Sequence, residues 1–309
     1  MISELLIYKI LQLFCIMIIG FILTKLKIIR YNDSSILSKI SLYLLMPSAI
    51  INAFDFEMSE QVGKGLVLAF AAAIIIHIVF YVMDIVYSKF ISSNSVERTS
   101  IMYSNAGNLI IPIVSFALGN EWVVYSVAYI SVQQLFLWSH GIRLFSSNEK
   151  FSARKILFNV NIIAIIFGVV LMILGWRLPS FVKEITTSFG DMVGTVGMLI
   201  AGILAANIDF KKFLVDKRIY RVIFARTVVY PLITLIILKL LSFIPVVDGH
   251  KILLISFFAS IAPTAATVLQ FAQIKNSDAE YAAAINIFTT ITCVVTIPLF
   301  VKLFNYMYI

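Results

Sequence analysis

The sequence predicts an all-α polytopic membrane protein of ten transmembrane helices with no soluble domain, and three observations carry that prediction. The 309 residues are 61% hydrophobic and only 13% charged, against about 45–50% apolar and about 25% charged in an ordinary soluble domain. Mean hydropathy is +1.00. The apolar residues fall in runs close to the ~20 residues a helix needs to cross hydrocarbon. Period-two alternation is absent and the runs are too long for barrel strands. A soluble enzyme, a secreted disulfide scaffold and a disordered regulator are excluded on the same grounds.

Ten windows stand out: 5–24, 35–54, 65–87, 99–118, 122–142, 157–175, 187–207, 219–240, 252–271 and 281–303. The first reads as a span and not as a cleavable signal. It is longer than a typical signal core, has Glu4 in place of a basic leader, and leads to no small-residue cleavage site. Cys15 and Cys293 lie inside apolar runs and read as small buried hydrophobes, with no disulfide framework or metal motif. Trp122, Trp138 and Trp176 fall near span ends, where an aromatic belt places them.

The net charge of +8 is an orientation signal. Odd-numbered connections hold fifteen Lys and Arg, including Lys25, Arg98, Arg154 and Lys211; even-numbered ones hold only Lys64, Arg177, Lys183, Lys239 and Lys251. Positive loops stay cytoplasmic, so both termini are expected outside a cell membrane. The basic residues then face anionic lipid head groups, and a nucleic-acid partner is excluded.

The longest polar connection, RLFSSNEKFSARKI at 143–156, divides the chain with five windows on each side. The expected units are residues 1–145, a cytoplasmic linker at 146–156, and residues 157–309. An odd number of spans per half inverts the second half relative to the first, the architecture of many secondary transporters. Each half is interrupted in its fourth span. Span four carries Asn105, Gly107, Asn108 and Pro112 near mid-membrane, and span nine carries Pro263. Proline removes a backbone donor and crowds the preceding turn. The freed polar groups need partners from protein, water or a ligand. For Pro231 and Pro298 a plain helix kink is the preferred reading; for span four a polar cavity is.

At these residues the chain resembles the auxin efflux carrier family, which includes bacterial malate-permease-like transporters. The match rests on SNAGNLIIPIV at 104–114, LLMPSAIINAF at 44–54, NVNIIAIIFGVVL at 159–171, and the run from APTAATVLQFA through INIFTTITCVVTIPLF. The resemblance implies two inverted five-helix repeats whose broken fourth helices cross, as in sodium/proton antiporters and bile-acid symporters. It implies a scaffold of spans 1, 2, 6 and 7 and a transport domain of spans 3–5 and 8–10. Asn105 matches the family's substrate-binding asparagine, Pro112 and Pro263 its crossover prolines, Asn161 a polar position, and Pro47 and Ser48 the scaffold wall. The chain departs from the family at Val160, where a proline is usual between Asn159 and Asn161, and at Thr195, also usually proline.

The resemblance implies a secondary carrier of small organic anions, carboxylates such as malate or auxin-like acids. Such an ion must exchange its water shell for fixed donors. Asn105, Asn108, Thr264 and Thr267 could donate, together with the half-helix N-termini; the plainer role for the asparagines is interhelical hydrogen bonding. Ionisable residues within spans are candidates for coupling to a proton or sodium ion. His77 and Asp84 share a face of span three, although a neutral interhelical histidine is the favoured reading of His77. Asp191 begins a Gly- and Thr-rich stretch. Arg226 reads either as an attractor for anions or as a snorkelling side chain; His140 reads as interfacial. No nucleophile, phosphate loop or metal cluster marks an enzyme, and no cofactor is expected. Expected partners are an organic-acid substrate, lipid and a coupling ion, with a homodimer admitted. The alternatives are a sodium/proton antiporter or proton-coupled carrier of another solute on this fold, and a non-translocating membrane receptor or scaffold.

Overall fold

The computed structural model describes residues 2–56, 58–145, 154 and 157–308, and the regular elements among them are helical. The helices are α1 (Ile2–Lys25), α2 (Asp33–Ala53), α3 (Glu60–Phe90), α4 (Ser95–Met102), α5 (Ala106–Ala117), α6 (123–144), α7 (Val160–Leu174), α8 (Ser180–Ala205), α9 (Phe210–Val215), α10 (Lys217–Leu241), α11 (Gly249–Ile261), α12 (Ala266–Ile274) and α13 (Ala279–Met307). Among the described residues, five helices are long and apolar enough to cross a membrane: α2, α3, α8, α10 and α13. The other apolar windows fall on α1, α6 and α7 and on two broken pairs, α4–α5 and α11–α12. The expected linker at 146–156 lies, apart from Arg154, outside the described residues.

Some helix starts in the connections are capped by side chains, while those of α2, α6, α8 and α11 are not. Ser59, Asn94 and Asp278 accept from backbone N–H groups at 3.2, 2.9 and 2.9 Å, satisfying donors that a helix start leaves free. Gly175, at φ +63°, ends α7 in the left-handed conformation that glycine adopts without strain. Pro47 and Pro231 stay within long helices because each follows a widened π-turn, at Ser41–Leu45 and Ala225–Val229. The wider turn makes room for a ring that would otherwise strike the carbonyl one turn back. A third π-turn, Leu137–Gly141 in α6, has no proline and carries His140. Pro298 sits inside α13.

Two packing groups frame the interior. In the first, α1 lies along α8, and α2 packs on α7 and α8. The α1–α8 approach is backbone-close: a Cβ on Gly202 would fall 2.0 Å from the Met17 carbonyl oxygen. Small residues permit this contact where no hydrophobic force drives helices together. In the second group, α3 packs on α6 and α11, and α13 packs on α12.

Two sequence expectations change. Cys15 is exposed on the outer face of α1, whereas Cys293 is buried; an apolar run fixes hydrophobicity but not which side of a helix faces inward. Trp138 is buried, donating to Gln134 Oε1 at 3.1 Å and packing edge-on against Phe271, so it belongs to the interior and not to an interfacial belt.

Candidate functional site: the crossing of two broken helices

Helix α4 stops at Met102 and α11 at Ile261, and the chain runs extended before α5 and α12 begin. The two extended segments meet antiparallel, with Ser104 paired to Thr264. Asn105 N–H donates to the Pro263 carbonyl at 2.7 Å, and Ala265 N–H donates to the Tyr103 carbonyl at 3.0 Å. Each break therefore supplies partners for backbone groups freed by the other. Nothing else would satisfy them in an apolar interior.

Side chains from α6 and α13 complete the clamp. Gln133 Oε1 accepts from the Ser104 N–H and hydroxyl at 3.1 and 2.7 Å, and its Nε2 donates to the Ser104 carbonyl at 2.8 Å. Asn286 Nδ2 donates to the Thr264 carbonyl at 2.8 Å. The Thr264 hydroxyl donates to the Ser100 carbonyl at 3.1 Å, and Thr289 Oγ1 accepts from Thr264 N–H at 3.3 Å. Sequence reasoning missed Gln133, Asn286 and Thr289. Their signal was present: polar side chains in the middle of apolar runs, each opposite the break of its own half.

Arg226 takes neither role expected of it. It is fully buried on its π-turn and neither snorkels nor reaches an aqueous face. Its guanidinium donates to the carbonyls of Ala262 at 3.1 and 2.6 Å, Ser260 at 2.5 Å and Ile101 at 3.3 Å. These carbonyls close the C-terminal ends of α11 and α4, where the helix dipoles are negative. The planar, multidonor fork of arginine suits this task.

The N-terminal ends are different. Neither Asn105 before α5 nor Ala265 before α12 makes a side-chain cap. Gly107, in the first turn of α5, and Ile111, in the turn after it, line a cavity of about 370 Å³. Its opposite wall is Asn52, Thr187, Asp191 and Thr195 from α2 and α8. Asp55 and Lys183 stand at the mouth of that cavity; Asp55 accepts from Lys183 at 2.6 Å and Arg177 at 3.3 Å. Burial works to raise the Asp55 carboxyl. The Lys183 hydrogen bond and charge, with the Leu178 amide and Arg177, outweigh it and hold the group below the ordinary carboxylate value.

The crossing thus unites Asn105, Pro263 and Thr264, while Gly107 and Asp191 line the adjoining cavity. Thr267 is buried in the first turn of α12. The side chains of Asn108 and Pro112 lie outside the described part of α5. Asn161 is buried in helix packing, donating to the Leu42 carbonyl at 3.0 Å, and Ser48 donates to the Leu44 carbonyl at 2.8 Å one residue beyond Pro47. His77 Nδ1 lies 2.7 Å from the Ala73 carbonyl, among the rings of Tyr129, Phe136 and Phe80. Asp84 is buried seven residues further on, accepting from Arg98 at 2.9 and 2.5 Å.

A helical membrane protein with an unwound, polar crossing beside a cavity belongs to the class of membrane transport proteins. A family model described as membrane transport protein matches residues 5–153 and 148–301. The chain belongs to that family, the auxin-efflux-carrier-like transporters, which is a family of transporters and not of enzymes. It is accordingly a multi-pass membrane protein with a transported substrate. No curated protein sequence matches it.

Proposed function

We propose that the protein is a secondary active transporter of small organic anions, carboxylates such as malate, working by alternating access around the helix crossing. In this reading the ten spans form two inverted five-helix repeats with both termini extracytoplasmic, in the cell membrane. Helices α1, α2, α7 and α8 are the scaffold, and α3–α6 with α10–α13 the moving transport domain.

One observation carries the reading: the asymmetry of charge at the crossing. Arg226 neutralises the negative ends of two half-helices, while Gly107, in the first turn of a helix α5 that no side chain caps, lines the cavity. An anion is the ligand such a start favours. The cavity, about 370 Å³, lies at the small end of the range of about 300–1,000 Å³ for ligand pockets. In transport, Asn105 and the first amides of α5 would replace the carboxylate's water, with Gly107 allowing close backbone approach. Asn108 and Thr267 are further donors in this reading, and Pro263 keeps its break open. Pro112, expected at the crossing, instead lies within α5 beyond the break, and Thr264 already donates to Ser100 and Thr289 and so braces the crossing. Pro47, Ser48 and Asn161 stiffen the wall against which the domain moves. Asp191, on the cavity wall, is placed for a coupling proton or sodium ion, with His77 and Asp84 as other candidates.

Purified protein in liposomes loaded with L-malate is expected to exchange it for external labelled malate or a related dicarboxylate, and Asn105→Ala to abolish the exchange. Binding without counterflow favours a receptor. No binding and no exchange of any tested carboxylate, with sodium-driven proton movement instead, favours an antiporter.

A further inference from the structure

His140 was legible only as an interfacial residue, yet it joins two parts of the interior. Its Nε2 lies 3.3 Å from Asp84 Oδ2, and its side chain is 15% exposed. Its Nδ1 lies 2.9 Å from the Tyr103 hydroxyl, which is itself 3.0 Å from the Phe136 carbonyl. Tyr103 is the residue whose carbonyl accepts from Ala265 N–H at the crossing. Hydrogen bonds therefore run from Asp84, near the Phe90 end of α3, through His140 to the Tyr103 hydroxyl, and the tyrosine's own covalent frame joins them to the pairing of the two breaks.

The arrangement accepts either protonation state without moving a heavy atom. With neutral His140, Nε2–H donates to Asp84 and the Tyr103 hydroxyl donates to Nδ1. When Nδ1 takes a proton, a new N–H bond forms and that N–H donates to the Tyr103 oxygen. The tyrosine proton turns to the Phe136 carbonyl, already within 3.0 Å. The pair of acceptors around one hydroxyl is what makes the switch complete. The groups facing His140 are Asp84 and Tyr81 from α3, Arg98 from α4 and Tyr103 from the crossing. Arg143 follows on α6 itself, Tyr230 on α10 adds its field at Tyr103, and the Arg221–Glu97 pair lies beyond. Asp84 and Arg98 already balance each other, so the added proton leaves a net positive charge next to Asp84. His77 has no carboxylate among its described contacts.

We propose that His140 is a proton-binding site wired through Tyr103 to the helix crossing, and that it lets the proton gradient bias the transporter. The inference rests on the transporter reading for its purpose but not for its test, which needs no substrate. The chain has three histidines, so isotope-labelled imidazoles in nanodiscs give three resolvable sets of NMR signals. His140 Nδ1 is expected to change reversibly from acceptor to donor as the pH is lowered. Asp84→Asn is expected to lower its proton affinity at least tenfold, and Tyr103→Phe several-fold. Hydrogen exchange of the Ala265 amide is expected to follow the same midpoint in the wild type and to lose it in Tyr103→Phe. No such change at His140, or an Ala265 exchange rate unaffected by it, would overturn the proposal. If Asp84→Asn fails to fold, Tyr103→Phe, which removes only a hydroxyl, decides it. Malate exchange in liposomes stands or falls separately.

Discussion

The two ends of the half-helices at the crossing are built on opposite principles. At the C-terminal ends, carbonyls of α4 and α11 converge on one buried arginine and nothing is left open. At the N-terminal ends no side chain caps α5 or α12, as none caps α2, α6, α8 or α11, while α3, α4 and α13 are capped by Ser59, Asn94 and Asp278. The difference lies between carbonyl ends that Arg226 closes and amide starts that no side chain closes. The closed end holds the structure together and the open end is free to meet a ligand.

The sharpest way to break that contrast is to remove the closed end. Arg226→Met leaves three carbonyls without donors and is expected to destabilise the protein most, at about 1–3 kcal/mol for each unsatisfied group. Arg226→Lys is expected to restore little, since a point cation cannot span both helix ends. Thermal unfolding in detergent measures both. Gln133→Ala strands the Ser104 N–H and C=O, at a cost of about 1–3 kcal/mol for each unsatisfied group. Asn105→Ala, which removes no side-chain cap, is expected to destabilise the protein less than Gln133→Ala does, while ligand stabilisation is lost. A large loss of stability in Asn105→Ala would erase the distinction between the two ends.

The smallest effect concerns the mouth of the cavity. Asp55 is held below its ordinary value, so its contribution is present above the unfolded carboxylate value and lost as pH falls through the folded one. Stability is expected to decline below about pH 4, and Asp55→Asn to flatten that decline. A melting profile from neutral to acid pH checks the sign.

Much of the fold was legible because hydrocarbon imposes length and apolarity on every span. All ten apolar windows fall on helices or on pairs of half-helices. The breaks were legible too, since Asn105, Gly107 and Pro263 violate helix chemistry in the one environment that punishes it most. What holds the breaks was not. Gln133, Asn286 and Arg226 each meet partners more than twenty residues away in sequence. A single polar residue in an apolar run announces that it needs a partner, but not which one. His140 shows the same limit: its place at a span end suggested the interface, and only the packing of α3 against α6 brings it to Asp84.

The central claim is that the open end of the crossing binds a small organic anion. Thermal stabilisation of the solubilised protein by a panel of carboxylic acids tests it most directly, because a ligand at a hundred times its dissociation constant adds about 2.7 kcal/mol. Wild type is expected to be stabilised by at least one dicarboxylate and Asn105→Ala by none. Equal stabilisation of both proteins, or of neither by any acid, would contradict the claim.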